Sequence, residues 1–92
     1  MTVIEEFLNH IIEHKKKNGL DVEQTTYRFD NGYGANVIKE YRGPGVELAV
    51  IQFYDDESNA WGLEYSTDIT NDVLRHLNDV QLRETLQMIK DL

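Results

Sequence analysis

Cysteine is absent from this sequence, proline and tryptophan occur once each, and no long apolar run is present. Without cysteine the chain can form no disulfide, thiolate metal site or cysteine nucleophile, so hydrophobic packing must stabilise the fold. A membrane-spanning helix needs roughly 18–20 apolar residues. Glu5 and Glu6 also lie where a signal peptide carries basic residues. These absences predict a cytoplasmic protein that does not associate with membranes.

Basic residues are scarce as well. Nine lysines and arginines stand against seventeen aspartates and glutamates, which gives a net charge of −8. This charge repels nucleic-acid phosphates and anionic lipids and favours basic partners. We therefore expect no direct binding to nucleic acid. Because a chain of 92 residues has room for one core, residues 1–92 are predicted to form a single α+β domain.

The N-terminal segment has the pattern of an amphipathic helix. Thr2-Val3-Ile4-Glu5 has the form of a capping box. The lysines at 15–17 and the pair Asn18-Gly19 are typical of a helix C-terminus. These signals predict a first helix from about Val3 to Lys17. The apolar residues at helical spacing are Ile4, Phe7, Leu8, Ile11 and Ile12.

From Gln24 to Tyr65 the apolar pattern alternates, which predicts β-strands. Turn signals at 30–34, 42–45 and 55–59 divide this stretch into four strands. We expect hairpins that pair Asp30 with Gly34, Tyr41 with Val46 and Tyr54 with Trp61. One sheet face then collects Tyr27, Phe29, Val37, Leu48, Val50, Trp61 and Leu63.

The C-terminal part again has helical spacing. Val73, Leu74 and Leu77 predict a short helix, and Asn78-Asp79-Val80-Gln81 has the form of a second capping box before a last helix. The predicted fold is therefore α+β with the order αββββαα. It is a four-stranded antiparallel meander with helices packed on one face. The last helix presents Leu82, Leu86 and Ile89 along one stripe.

Candidate catalytic and metal-binding residues are few. His10 and His14 are four apart, a spacing that allows two imidazoles of one helix to share a metal ion. Two histidines on a solvated helix flank explain the same spacing. Ser58 and Ser66 have no neighbouring histidine and no nucleophile-elbow context. We expect no metal, no cofactor and no enzymatic activity, and a small metal-binding domain or enzyme remains an alternative.

The second sheet face is the more informative feature. The predicted registers place four apolar residues there, more than a solvated face requires, and such a patch marks an interaction surface. The acidic run at 55–57 is predicted to form a solvated hairpin tip and is a candidate acidic patch. The predicted interaction surface comprises Ile38, Ala49, Ile51 and Phe53, and the acidic patch comprises Asp55, Asp56 and Glu57.

Two segments carry a resemblance to a known group of proteins. From Tyr41 the chain reads Tyr-Arg-Gly-Pro-Gly-Val-Glu-Leu-Ala-Val, and from Trp61 it reads Trp-Gly-Leu-Glu-Tyr-Ser-Thr-Asp-Ile-Thr-Asn-Asp-Val. This text resembles small uncharacterised proteins of phages and prophages of Gram-positive bacteria. The resemblance includes no catalytic signature and brings no functional residues. It implies a setting in which small acidic proteins block a host nucleic-acid-handling protein, with carboxylates in place of DNA phosphates.

The sequence therefore predicts a non-enzymatic protein-interaction module that binds a protein partner or a second copy of itself through the second sheet face. The alternative is an acidic inhibitor that mimics nucleic acid. Its candidate carboxylates are Glu5, Glu6, Glu13, Asp55, Asp56 and Glu57.

Overall fold

An antiparallel sheet and a C-terminal helix dominate the computed structural model, which describes residues 1–17, 22–40 and 42–92. The α+β class with an antiparallel sheet and a C-terminal helix is confirmed. The elements are a 3₁₀ helix (Glu5–His10), β1 (Ile11–Lys17), β2 (Val22–Arg28), β3 (Tyr33–Lys39), β4 (Val46–Phe53), β5 (Trp61–Leu63), β6 (Leu74–Leu77) and α1 (Asp79–Lys90).

The strands form one sheet in the order β1-β2-β3-β4-β5. β5 and β6 share the far side of β4. β5 pairs with Ile51–Phe53, and β6 pairs with Val46 and Leu48. β5 and β6 are both short, whereas β1 lies alone at the opposite edge of the sheet.

The hydrophobic core lies between one face of the sheet and two covering segments. α1 packs mainly on β3, β4 and β6, while the 3₁₀ helix packs on β2. The capping box predicted for α1 is confirmed, because Asn78 and Gln81 exchange hydrogen bonds between side chain and backbone. The predicted core residues that are confirmed are Tyr27, Phe29, Val37, Leu48, Val50, Leu82, Leu86 and Ile89.

The prediction of a long first helix is wrong. Only Glu5–His10 are helical, and Ile11–Lys17 form β1, paired with β2 across a bulge between Ile11 and Glu13. Leu8 and Ile12 are exposed, so the apolar spacing does not define one buried stripe. Pairing with β2 gives this segment its backbone hydrogen bonds and overrides the local helical pattern.

The predicted short helix through Val73, Leu74 and Leu77 is also wrong, and four strands become six. Leu74–Leu77 form β6, which completes the ladder along the half of β4 that β5 leaves open. His76 has a φ of 62°, which is incompatible with a right-handed helix. This segment forms a strand because the edge of β4 is open there, and the local spacing of apolar residues cannot reveal that edge.

The hairpin registers decide which side chains face the core. The β2–β3 and β3–β4 registers pair Tyr27 with Ala35 and Lys39 with Val46. Both differ from the predicted registers by an even number of positions, so the predicted faces are preserved. The β4–β5 register differs by one position. It pairs Phe53 with Trp61, and Trp61 and Leu63 therefore lie on the face turned away from α1.

Two sequence predictions concern residues that the structure does not describe. The helix stop at Asn18-Gly19 and the pairing of Tyr41 lie outside the described residues. As to membrane insertion, no helix within residues 1–17, 22–40 and 42–92 has the length and apolar character to cross a bilayer.

Candidate interaction surface

The outer face of the sheet, which we define as the face turned away from α1, contains all four residues of the predicted interaction surface. Two of them are not available for binding, because Ile51 and Phe53 are buried within the chain itself. Their assignment to an exposed surface is therefore wrong. Ile38 is 39% exposed and Ala49 is half-buried, so these two remain on the surface.

Phe53 is buried and lies close to a glycine and an arginine. A Cβ atom on Gly34 would lie 2.8 Å from Phe53 Cε2, so the ring lies over the glycine backbone. The Arg28 guanidinium carbon lies 4.4 Å from the centroid of the same ring. This cation–π contact covers the aromatic ring with a charged group.

Arg28 also fastens the β4–β5 loop over the outer face. Its Nη1 donates to the carbonyl oxygen of Ser58 at 2.5 Å and to Asn59 Oδ1 at 2.9 Å. Its Nη2 donates to the carbonyl oxygen of Asp55 at 2.6 Å. A single side chain of β2 therefore binds both ends of the loop and holds it against the sheet.

The predicted acidic patch lies in this loop, and its residues are exposed. Asp55 Oδ1 accepts hydrogen bonds from the amides of Glu57 at 2.9 Å and Ser58 at 2.7 Å. These backbone hydrogen bonds lower the pKa of Asp55 below its ordinary value. The Asp55 carboxylate therefore stabilises the loop through hydrogen bonds to its backbone. Asp56 and Glu57 are the acidic residues of the loop that remain for contact with a partner.

A cleft of about 320 Å³ separates the loop from the 3₁₀ helix. It is open and polar, and it brings the acidic loop together with Arg28 and the β2–β3 turn. The His10 ring at its edge packs on Phe29 with 5.0 Å between the centroids. The lining residues are Asn9, His10, Ile12, Arg28, Phe29, Asp30, Gly32 and Asp56.

The exposed apolar surface of the outer face lies beside this loop. Leu63 is 61% exposed, and Trp61 is half-buried. Leu63 pairs with Ile51 of β4. Ala49 lies two residues before Ile51 on the same face of β4, and Ile38 on β3 is the diagonal neighbour of Ala49. We name this surface the outer apolar patch: Ile38, Ala49, Trp61 and Leu63.

Sequence reasoning missed Trp61 and Leu63 because it closed the β4–β5 loop one residue too short. Trp61 also lines a hollow together with Ile12, Glu13, Thr26 and Asn59. The position of Phe53 does not identify the register, because Phe53 lies on the outer face in both the predicted and the observed register, and the loop length decides whether Trp61 or Gly62 lies opposite it.

A second group of polar side chains lies under the N-terminal segment, on the core side of β1 and β2. The Thr2 amide donates to Glu23 Oε2 at 2.6 Å, and the hydroxyls of Thr2 and Thr25 are 2.7 Å apart. Tyr27 donates its hydroxyl to the Thr2 carbonyl at 2.6 Å and accepts from the Ile4 amide at 3.0 Å. Burial raises the pKa of Tyr27 to about 12. Because Thr2, Thr25 and Tyr27 are buried, this network fastens the N-terminal segment and offers no open site.

Glu23 makes this network sensitive to acid. Burial alone would raise its pKa, but the hydrogen bonds from Thr2 and nearby positive charge bring the pKa below its ordinary value of 4.5. The ionised carboxylate therefore stabilises the fold. This contribution is complete above about pH 4.5 and is lost as the pH falls through the lowered pKa.

We expect Glu23→Gln to lower the free energy of unfolding by about 1–3 kcal/mol at neutral pH, because charged hydrogen-bond partners contribute that amount. The difference from the wild type should shrink below pH 4.5. Urea unfolding across this pH range measures both quantities. Glu84→Gln, at an exposed position of α1, is the matched control. A difference that persists undiminished at low pH would contradict the role given to the carboxylate.

The two histidines considered for a metal site lie on different elements. His10 ends the 3₁₀ helix, whereas His14 lies in β1 and forms a hydrogen bond of 2.8 Å between its Nδ1 and Thr25 Oγ1. The helical spacing that suggested a shared ion is therefore absent. Within the described part of the chain, no three histidine, aspartate or glutamate side chains cluster as a metal site would require.

Comparison of the chain with protein-family models, with curated proteins and with solved structures finds no match.

Proposed function

We propose that this protein is a non-enzymatic interaction module that binds a protein partner through the outer apolar patch. The observation that supports this is the exposure of Leu63 and Ile38 on an otherwise well-packed sheet. The opposite face is covered by α1 and the 3₁₀ helix, so the outer face is the broad sheet surface left for a partner. Contiguous exposed apolar surface with a polar surround is typical of such sites.

The chemistry of the partner follows from the charge around the patch. Glu47, whose Oε1 lies 3.7 Å from Arg75 Nε, flanks Ile38 on β4, and the acidic loop lies beyond Phe53. The whole chain carries a net charge of −8, which opposes the approach of a second copy. We therefore propose a partner with an apolar centre and a basic surround. The setting that we propose for this interaction is the cytosol of a phage- or prophage-bearing Gram-positive bacterium.

The test uses two aspartate substitutions at apolar side chains of nearly equal exposure. Leu63 in the patch is 61% exposed, and Val80 on α1 is 59% exposed. We expect a partner captured from a Gram-positive bacterial lysate, then purified, to bind the wild type and Val80→Asp but to lose at least about tenfold in affinity for Leu63→Asp. Binding should persist at high salt, because hydrophobic contacts are not screened.

Two outcomes would contradict this function. Binding that ignores Leu63→Asp but fails at high salt and on charge reversal of Asp55, Asp56 and Glu57 would favour the nucleic-acid mimic. Sedimentation that shows a dimer of the wild type and a monomer of Leu63→Asp would assign the patch to a second copy.

A further inference from the structure

β1 is an edge strand whose outer side is open. It has seven residues, and its strand partner in the described chain is β2 alone. At the other end of the sheet, β5 and β6 together cover β4. An open edge strand presents unpaired N–H and C=O groups, which another extended chain can use as a template.

The hairpin between β2 and β3 shows which backbone groups of β2 are already used. The Phe29 amide donates to the Tyr33 carbonyl at 2.9 Å, which makes these two residues a hydrogen-bonded pair. In an antiparallel ladder this property alternates along the strand. Tyr27 and Thr25 therefore bond to β3, and the residues between them bond to β1.

The same alternation identifies the open groups of β1. Glu13 and Lys15 are register partners of Thr26 and Gln24, so their backbone groups point toward β2. The backbone groups of His14 and Lys16 consequently point away from the sheet. An added strand would bond to these two residues.

The charge of the edge selects the strand that can pair there. Lys15, Lys16 and Lys17 are consecutive and exposed, in a chain that has only nine lysines and arginines. Lys15 lies 3.3 Å from Glu13, and Lys16 and Lys17 have no ion pair within the described residues. Lysines on an edge strand deter pairing with neutral or basic strands. Pairing with β1 of a second copy is also disfavoured, because each β1 carries one acidic and three basic residues.

We propose that the open edge of β1 binds an extended acidic peptide segment as an additional strand. Its backbone pairs with His14 and Lys16, and its carboxylates pair with the lysines of β1. This edge is distinct from the outer apolar patch, so either proposal can fail without the other.

The probe is a fluorescently labelled peptide of alternating glutamate and threonine, with the seven-residue length of β1. A peptide with proline in place of threonine keeps the charge but cannot form the ladder. We expect the first peptide to bind, as measured by fluorescence anisotropy, and the second to bind at least about tenfold more weakly. High salt should weaken the binding.

Two substitutions at one position separate charge from backbone pairing. Lys16→Ala and Lys16→Pro remove the same charge, but only proline removes the outward N–H, and an edge strand tolerates proline there. We expect Lys16→Pro to bind at least about tenfold more weakly than Lys16→Ala. Leu63→Asp should leave peptide binding unchanged, since it alters the other surface.

Amide exchange in the wild-type protein tests the proposal without relying on a variant that folds. Saturating peptide should slow exchange at His14 and Lys16, whose amides are open, and leave Glu13 and Lys15 unchanged. Exchange at His14 and Lys16 that does not respond would overturn the proposal. It would also be overturned by peptide binding that Leu63→Asp abolishes, or by a wild-type dimer that Lys16→Pro dissociates.

Discussion

Gly34→Ala is expected to destabilise the protein by about 3 kcal/mol or more, because overpacking against the backbone has no inexpensive relaxation. The added Cβ would lie 2.0 Å from the carbonyl oxygen of Tyr27 and 2.8 Å from Phe53 Cε2. The first contact involves the neighbouring strand itself. To relieve it, β2 and β3 would have to separate at this point.

The surroundings of Gly34 prevent such a separation. Tyr27 is buried, and its hydroxyl is hydrogen-bonded to the N-terminal segment at Thr2 and Ile4. Phe53 is held by its contact with the guanidinium of Arg28. A shift in either neighbour would therefore disturb the core network or the β4–β5 loop.

The matched control is Gly32→Ala, two residues away in the same hairpin. Gly32 has a φ of +87° and no atom within 4 Å of an added Cβ, so alanine there meets backbone strain without a clash. We expect a loss of about 1–2 kcal/mol. Urea unfolding of both variants measures the difference. Equal losses would contradict this prediction, because they would show that the close approach of Gly34 to β2 and Phe53 costs no more than the backbone strain at Gly32.

The two central hairpins show why much of the fold can be predicted from sequence. Turn residues near Asn31 and Pro44 locate the hairpins, and alternation keeps Tyr27 and Val37 on the core face even when the register moves by two positions. The Asn78 capping box marks the start of α1 through purely local hydrogen bonds. These features depend on residues close together in the chain.

The remaining features depend on distant partners. β1 is a strand because β2 lies beside it, and β6 is a strand because part of β4 is open. The predicted interaction surface differs most from the observed one. One extra loop residue places Trp61 and Leu63 on the outer face, where Ile51 and Phe53 are buried. Arg28 of β2 also covers Phe53 and binds the β4–β5 loop, and the spacing of residues in the sequence does not reveal this long-range contact.

Phe7→Ala is expected to lower the free energy of unfolding by about 3–5 kcal/mol, the usual range for truncating a buried aromatic side chain. Phe7 is 2% exposed and meets the ring of Phe29 edge to face with 5.9 Å between the centroids. The Lys90 Nζ lies 5.9 Å from the Phe7 centroid on the side of α1. Phe7 therefore connects the 3₁₀ helix to both the sheet and the C-terminal helix.

Leu8→Ala is the matched control because it shortens the next apolar side chain of the same 3₁₀ helix. Leu8 is 52% exposed, so we expect a change within about 0.5 kcal/mol. Chemical denaturation followed by tryptophan fluorescence compares the two variants. If Leu8→Ala proves as damaging as Phe7→Ala, the 3₁₀ helix must pack through its other side.

Amide exchange shows whether Phe7→Ala destabilises the N-terminal segment alone or the sheet as well. The ion pair between Glu6 and Arg83 spans 3.8 Å at the surface, and exposed pairs of this kind contribute little. Without Phe7 the N-terminal segment is therefore held mainly by the hydrogen bonds of Thr2 and Ile4 to side chains of β2 and by the contact of His10 with Phe29. Because those bonds are centred on the buried face of β2, we expect faster exchange in β2 and β3 as well as in the 3₁₀ helix. Faster exchange confined to residues 1–10 would instead show that the N-terminal segment detaches from a sheet that α1 alone can stabilise.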